Sequence, residues 1–508
     1  MALPIRWLIL GALLAVSLPA ESPVWAQSDP QDPAFWRSLA DARRANEAPQ
    51  EFAELPGDAG ELEAGELSQP GGGLAVPPPH EELSPAAMQE IDQRLNAIQS
   101  DWQKFKTDLT KTKYPNVTIN GFFQADVGFF DQSPNNEKTF GDIQDGAGFR
   151  RLRLSTKGGV IENVNYFIQM DFGFFGRPTF TDVWLEVTHV PVLGFVKVGQ
   201  WKQPFGLETV TSVRYQTFME RSSLFQTFQA FRHIGIGTYN YSEDEMTTWA
   251  GSVFKTGNDQ FGGDIGDNAG VSAAGRITHL PWYEQADDGS LYYLHLGGAF
   301  WHGNPGNDKF RYASIPEFYI GSFGASAANP LGTSKVPIPN VANGTPPFVD
   351  TGTFALNNFT HFGGEVLWVQ GPLSVQSEAM LAVVNPIGEA QRHYKGAYAT
   401  VSYFLTGESR PYDKKAGALD RVKPLQNFRT DTGCGWGAWE LASRYSYIDL
   451  NDGKFNNGGR MDDWTTGVNW YLNPYTKFQA NYVKSFVHNP TFGHSYANMF
   501  GLRAQVDF

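Results

Sequence analysis

Cysteine occurs once in the 508 residues, at Cys434. A lone thiol excludes an intramolecular disulfide and a metal site built on cysteines, so stability has to come from burial and chain closure. Long apolar runs are missing too: beyond the N-terminus nothing approaches the roughly 20 residues that a spanning helix needs. Charged side chains make up only 18% of the chain. Length alone would suggest about three soluble domains. The 14% of aromatic residues, the 54 glycines and a mean hydropathy of −0.34 point instead to strands that face water with every second residue.

The alternation is plainest at the C-terminus. Phe500, Leu502, Ala504, Val506 and Phe508 share one face, and Gly501, Arg503, Gln505 and Asp507 the other. A strand that is apolar toward lipid and polar toward a wet lumen reads this way. From Val117 the same period of two sets Val117, Ile119, Gly121, Phe123, Ala125, Val127 and Phe129 against Thr118, Asn120, Gln124 and Asp126. It recurs in Tyr166–Phe172, Val183–Val187, Tyr292–Trp301, Ala397–Leu405, Trp439–Tyr447, Trp464–Leu472 and Phe478–Phe486, with Asn473-Pro474 as a short turn between two of them. At about 24 residues per strand with its share of turn, residues 117–508 predict an all-β transmembrane barrel of about 16 antiparallel strands, a size that leaves an aqueous lumen. The segment Asn304–Asn357, rich in Gly, Pro and Asn, is expected to be an extracellular loop.

The segment before Val117 is different material. Arg6 precedes the apolar run Trp7–Val16, and Val24-Trp25-Ala26 offers a cleavage site, so residues 1–26 are expected to be a signal peptide removed after Ala26 rather than an anchor. Residues 27–83 are rich in Pro and Gly, with twelve acidic against three basic side chains, and are expected to form a disordered linker. That surplus supplies most of the net charge of −14, so the acidity is no argument for a cation channel. In 84–113, Met88, Ile91, Leu95, Ile98, Trp102, Phe105 and Leu109 alternate spacings of three and four. A 3.5-residue period predicts a periplasmic coiled-coil helix that joins copies of the chain; an amphipathic helix lying on its own barrel is the alternative. Pro115 ends it.

Three blocks carry a family resemblance: Phe149-Arg150-Arg151-Leu152-Arg153-Leu154; Val196-Lys197-Val198-Gly199-Gln200-Trp201-Lys202-Gln203-Pro204-Phe205-Gly206-Leu207-Glu208; and Phe218-Met219-Glu220-Arg221. Together with Tyr403–Arg410, Trp439–Ser446 and Asn469–Tyr475 they resemble successive signatures of the phosphate-selective porin O and P family. The resemblance covers essentially everything after residue 117. It implies a 16-stranded outer-membrane barrel, usually trimeric, whose third extracellular loop folds inward and narrows the pore. Arginines and lysines would then guide anions such as phosphate or polyphosphate.

Matched position by position, the resemblance implies pore sites at Arg150, Arg151, Asp182, Ser212 and Arg221. Thr209 stands where phosphate-selective members carry a lysine, and Val213 where they carry a second serine. Losing a cation and a hydroxyl weakens an anion site, because a hydrogen bond to a charged group contributes about 1.5–3 kcal/mol. Strand parity separately turns Arg151, Arg153, Arg276, Arg444, Arg503, Lys197 and Lys477 inward, and the expected inward loop, about Lys202–Arg221, adds Arg214. Guanidinium forks match phosphate oxygens, and several weak sites in sequence permit flux. The same parity turns Asp126, Asp171, Asp182, Glu186, Glu365, Glu378, Glu440 and Asp507 inward, so the arginines either line the pore or pair with acids and stiffen the wall.

No pairing of nucleophile with base can be placed, so an enzyme is not expected. Ten histidines show no metal-binding spacing, Gly263–Asn268 reads as a flexible loop rather than a calcium loop, and no cofactor is expected. The expected partners are small anionic solutes, outer-membrane lipid and further copies of the chain, with no nucleic acid. A passive-diffusion porin leads; a general porin without phosphate selectivity and a barrel-anchored tether to the cell wall are the alternatives.

Overall fold

Strands that are apolar on one face and polar on the other, set in lipid, must close on themselves, since an open edge would leave N–H and C=O groups without partners. The computed structural model shows that closure. It describes residues 85–110, 113–173, 178–257, 270–320, 345–429, 433, 435–453, 455 and 458–508. The expected signal peptide 1–26, the linker 27–83, the 263–268 segment and Cys434 lie outside the described residues.

Sixteen long strands make the wall: β1 (Thr118–Gln132), β2 (Gly146–Ile161), β3 (Val164–Asp171), β4 (Thr179–Val190), β5 (Gly194–Lys202), β6 (Arg232–Tyr241), β7 (Thr247–Lys255) and β8 (Val271–Gln285). They continue as β9 (Leu291–Gly303), β10 (Phe354–Gln370), β11 (Leu373–Pro386), β12 (Arg392–Phe404), β13 (Ala438–Asp449), β14 (Arg460–Asn473), β15 (Thr476–Asn489) and β16 (Gly493–Asp507). Each is antiparallel to its neighbours, and β1 pairs with both β2 and β16, from Phe122 opposite Asp507 to Gln132 opposite Ala497. Gly121 and Phe508 exchange main-chain hydrogen bonds of 3.0 and 2.9 Å, which extends the closing seam to the last residue. The expected strand segments fall within these spans to one residue. Parity holds as well: Phe500, Leu502 and Phe508 face outward while Arg503, Gln505 and Asp507 are buried inside.

The N-terminal helix, α1, runs unbroken from Pro85 to Thr110, and its Leu95, Ile98 and Trp102 are exposed. Among the described residues no helix is long and apolar enough to cross a membrane.

Three connections fold into the lumen rather than away from it. The first, 203–231 between β5 and β6, carries two short helices, α2 (Leu207–Val210) and α3 (Ser223–Phe228). The inward loop expected over Lys202–Arg221 thus continues to Phe231. The second lies between β9 and β10. The described part of the segment expected as an extracellular loop, Asn304–Asn357, folds inward: Tyr312 and Phe318 are fully buried in one cluster with Phe205 and Phe228 of the first loop, and Ile315 is fully buried too. The ring of Phe318 reaches the wall where Gly128 and Gly501 leave room; a Cβ on Gly128 would sit 2.7 Å from it. The third lies between β12 and β13; its described part, chiefly 405–429, enters from the opposite end, among the short turns, and was not anticipated from the sequence.

The glycine at 501 gives a direct check. Gly501→Leu overpacks the Phe318 contact, which should lower the unfolding midpoint in detergent by an amount equivalent to about 1–3 kcal/mol and increase proteolysis within 311–320. An unchanged midpoint would show that the second loop is free to move.

Candidate pore constriction

The first inward loop is positioned by buried ion pairs, and a β-bulge supplies the first of them. The β1–β2 register slips at Gln124/Ala125, which face Arg151 and Phe149, leaving Arg150 as the extra residue. A bulge lets two consecutive side chains point the same way. Phe149 and Leu152 therefore stay outside while Arg150 and Arg151 both turn inward. Both meet Glu220 of the loop, Arg150 at 2.9 and 3.0 Å and Arg151 at 3.4 and 3.2 Å. Arg503 of β16 binds the same carboxylate at 2.8 Å and Asp126 of β1 at 2.7 and 2.6 Å.

The other side of the loop is fixed by Glu378 and Arg444. The first N–H groups of α2 have no partner within the helix, and Glu378 accepts them from Leu207 and Glu208 at 2.9 and 2.8 Å. Gly206 makes the approach possible: its φ is +78°, and a Cβ there would lie 2.6 Å from the Glu378 carboxylate. Arg444 bridges both loops, donating to Glu208 at 3.1 Å, to the Glu220 carbonyl at 3.1 Å and to Glu317 of the second loop at 2.8 Å. Thus the pairing alternative describes Arg444 and Arg503, and also Arg276, which binds Glu365 at 2.8 Å.

Toward β2–β6 the ion pairs are less completely buried, with Asp171 at 11% and Asp182 at 15% exposure against 2% or less for Arg444–Glu317 and Arg503–Asp126. Here Arg153 pairs with Asp171 at 2.7 Å, and Arg232 with Asp182 at 3.0 and 2.6 Å. Lys202 instead donates to the carbonyls of Val210 and Thr211 at 3.2 and 2.9 Å. Lys197 lies 3.5 Å from Glu186. Ser212 and Arg214 are part-exposed, and Ser212 Oγ accepts from Arg214 Nε at 3.3 Å. Arg214, at 29% side-chain exposure, reaches Asp507 at 3.4 Å.

Of the residues singled out in the sequence, Arg153 and Asp182 therefore lie on this side, whereas Ser212 holds Arg214, which reaches Asp507 of β16 and Phe122 of β1. Arg150 and Arg151 are drawn onto Glu220 instead. Arg221 is buried, with its guanidinium on the carbonyls of Glu208 and Thr211 at 2.6 and 2.9 Å and stacked 4.4 Å over Phe225. Sequence reasoning gave no role to Glu220, Lys202, Arg232 or Arg421. Inward parity at the start of β6 would have found Arg232, whereas Glu220 and Arg421 sit on irregular chain that has no parity to read.

The third inserted segment packs against the wall at the turn end. Arg410 binds Glu440, Tyr412 Oη lies 2.6 Å from His295 Nδ1, and the Gly417 carbonyl accepts from Arg276 at 2.7 Å. It then meets the first loop, where Leu419 N–H donates to Thr211 Oγ1 at 3.2 Å. Arg421 binds Asp507 at 3.0 Å and Tyr215 Oη at 3.3 Å.

Burial by itself would raise the Glu220 carboxyl, but Arg150, Arg151 and Arg503 outweigh it and hold the group well below the usual carboxylate range. A depressed folded-state value adds stability above the unfolded value, which is lost only as pH falls through the folded one. The loop should therefore keep its place, and the channel its conductance, on acidification from pH 7 to pH 4. Glu220→Gln leaves three buried guanidiniums short of a partner, a loss of about 3–5 kcal/mol. It should appear as a lower midpoint and a noisier, larger single-channel current; a quiet, unchanged current would show that the loop is held elsewhere.

The family model described as "Phosphate-selective porin O and P" matches residues 117–508. Porin O of Pseudomonas aeruginosa is 25% identical over 395 residues, covering 74% of this chain and 84% of that protein. An uncharacterized protein of Caulobacter vibrioides is 26% identical over 375 residues, covering 71% and 67%. Among solved structures, the anion-selective porin of Comamonas acidovorans superposes with a TM-score of 0.47 at 10% identity, over 77% of this chain and 99% of that one. With the family match spanning all sixteen strands and the loops inside them, the chain belongs to the phosphate-selective porin O and P family, porins of the bacterial outer membrane.

Proposed function

We propose that this protein is a passive-diffusion porin with a preference for small anions, and that solutes pass between loop 203–231 and the wall of β2–β6. One observation carries the reading. Arg153, Lys202 and Arg232 surround only two carboxylates, Asp171 and Asp182, because Lys202 is satisfied by carbonyls rather than by an acid. A carbonyl accepts the hydrogen bond without cancelling the charge, so the gap keeps a positive surplus that an anion meets as it sheds water.

Phosphate is one such solute, held loosely. Thr209 and Val213, the two departures from the phosphate-selective pattern, are both buried, so the loop offers the gap no further lysine. The domain plan completes the proposal: a signal peptide 1–26, a linker 27–83, a helix 84–113 whose heptad seam holds a homotrimer together in the periplasm, and the barrel 117–508 with its short turns on the periplasmic side.

Reversal potentials across planar bilayers under a KCl gradient test it. Chloride should permeate better than potassium, and Lys202→Glu, which leaves two cations among three acids, should lower the chloride-to-potassium ratio several-fold. A wild-type preference for potassium, or a ratio indifferent to Lys202→Glu, would overturn the reading.

A further inference from the structure

The second inward loop is seated on the wall through a carboxylate. Glu317, fully buried, accepts from Arg444 Nε at 2.8 Å, from Thr465 Oγ1 at 2.6 Å, from Ser446 Oγ, and from the Ser223 N–H at 3.1 Å. These donors belong to β13, β14 and the start of α3, so one side chain ties the second loop both to the wall and to the first loop. Beside it, Ser314 Oγ donates to the Ser223 carbonyl at 2.9 Å and the Ile315 N–H to Gln226 Oε1 at 2.9 Å.

Around that seat the lumen is dry, yet it is lined with polar atoms that have no hydrogen-bond partner among the described residues. Asp463 lies between the two wall hydroxyls that hold Glu317: Thr465 is the next inward residue of its own strand, and Ser446 is its register partner on β13. It is 0% exposed, and neither of its carboxyl oxygens is bonded. Ser485, its register partner on β15, is also 0% exposed with an unbonded hydroxyl, as are, at 1%, Ser223 beside Glu317 and Thr345 later in the same connection. Cross-strand neighbours stand about 5 Å apart, so a second acid sits next to the Glu317 carboxylate. Arg444, the guanidinium bonded to Glu317, is already shared with Glu208 at 3.1 Å.

A buried carboxyl without a partner is costly whether it is ionised or has taken up a proton. Several such groups at one place in a native fold amount to stored strain. The strain exists only while the loop is seated: lifting Ala313–Phe318 admits lumen water to Asp463, Ser485 and Ser223, against the loss of the Glu317 bonds and of the Phe318 contact. We propose that the second loop is a gate with two positions, in which Glu317 is the catch and Asp463 the strained group that lets the catch release, widening the lumen on the β13–β15 side. The proposal rests on the porin reading and is independent of its anion preference.

Single-channel recording of the full-length protein in planar bilayers tests it, with limited proteolysis of the same protein in detergent as a second readout. The wild type should make brief visits to a second, larger conductance level. Asp463→Asn, and more strongly Asp463→Leu, which needs no partner, should cut the time spent there several-fold, raise the unfolding midpoint and slow cleavage within 311–320. Glu317→Gln, which weakens the catch, should lengthen the visits and speed that cleavage. A single conductance level in the wild type, or visits that both Asp463 variants leave unchanged or lengthen, would overturn the proposal. The chloride-to-potassium ratio of the main level depends on Arg153, Lys202 and Arg232 on the β2–β6 side, so failure of the gate and failure of the anion-porin reading are separately visible.

Discussion

The carboxylate of Glu220 is bound by guanidiniums from β2 and β16, the two strands that flank β1 on either side of the closing seam. The loop that crosses the lumen is thus fastened at the place where the barrel itself is fastened. An unpaired buried charge costs several kcal/mol; Arg503 shares Glu220 with Asp126, whereas among the described residues Glu220 is the one carboxylate that Arg150 and Arg151 meet. Where the chain closes decides where the loop is fastened, and the less completely buried ion pairs lie toward β2–β6.

Strand alternation has a consequence that a soluble core does not face. Every second residue must point inward whether or not water is there to receive it, and here many of those residues are ionisable. The three inserted segments bring the missing partners: Glu208 and Glu220 from the first, Glu317 from the second, and Arg410, Arg421 and the Gly417 carbonyl from the third. A lumen filled in this way is stiff, and the channel is the gap that packing leaves over.

The charge of that gap follows from how each cation is satisfied. Arginines paired with carboxylates add little net field, whereas Lys202, Arg221 and Lys477 bond to loop carbonyls, which bring no opposing full charge. Backbone carbonyls of an inward loop therefore do what acids cannot: they hold a cation in place and leave it attractive to an anion.

Residue order alone was enough for the barrel, its strand number and its two faces, because period-two patterning is local and lipid punishes any error in it. Phe500, Leu502 and Phe508 against Arg503, Gln505 and Asp507 needed no tertiary information. Inward parity also named both halves of several pairs, Arg153 with Asp171 and Arg276 with Glu365 among them, without saying that they meet. What only the folded molecule decided was the use of each inward charge. Arg150 and Arg151 go to Glu220 and Arg221 goes to carbonyls because an irregular loop, whose path has no period to read, arrives at those points. The depth of Phe318 and the placing of Glu317 beside Asp463 likewise depend on segments far apart in sequence, brought together only after the wall has closed.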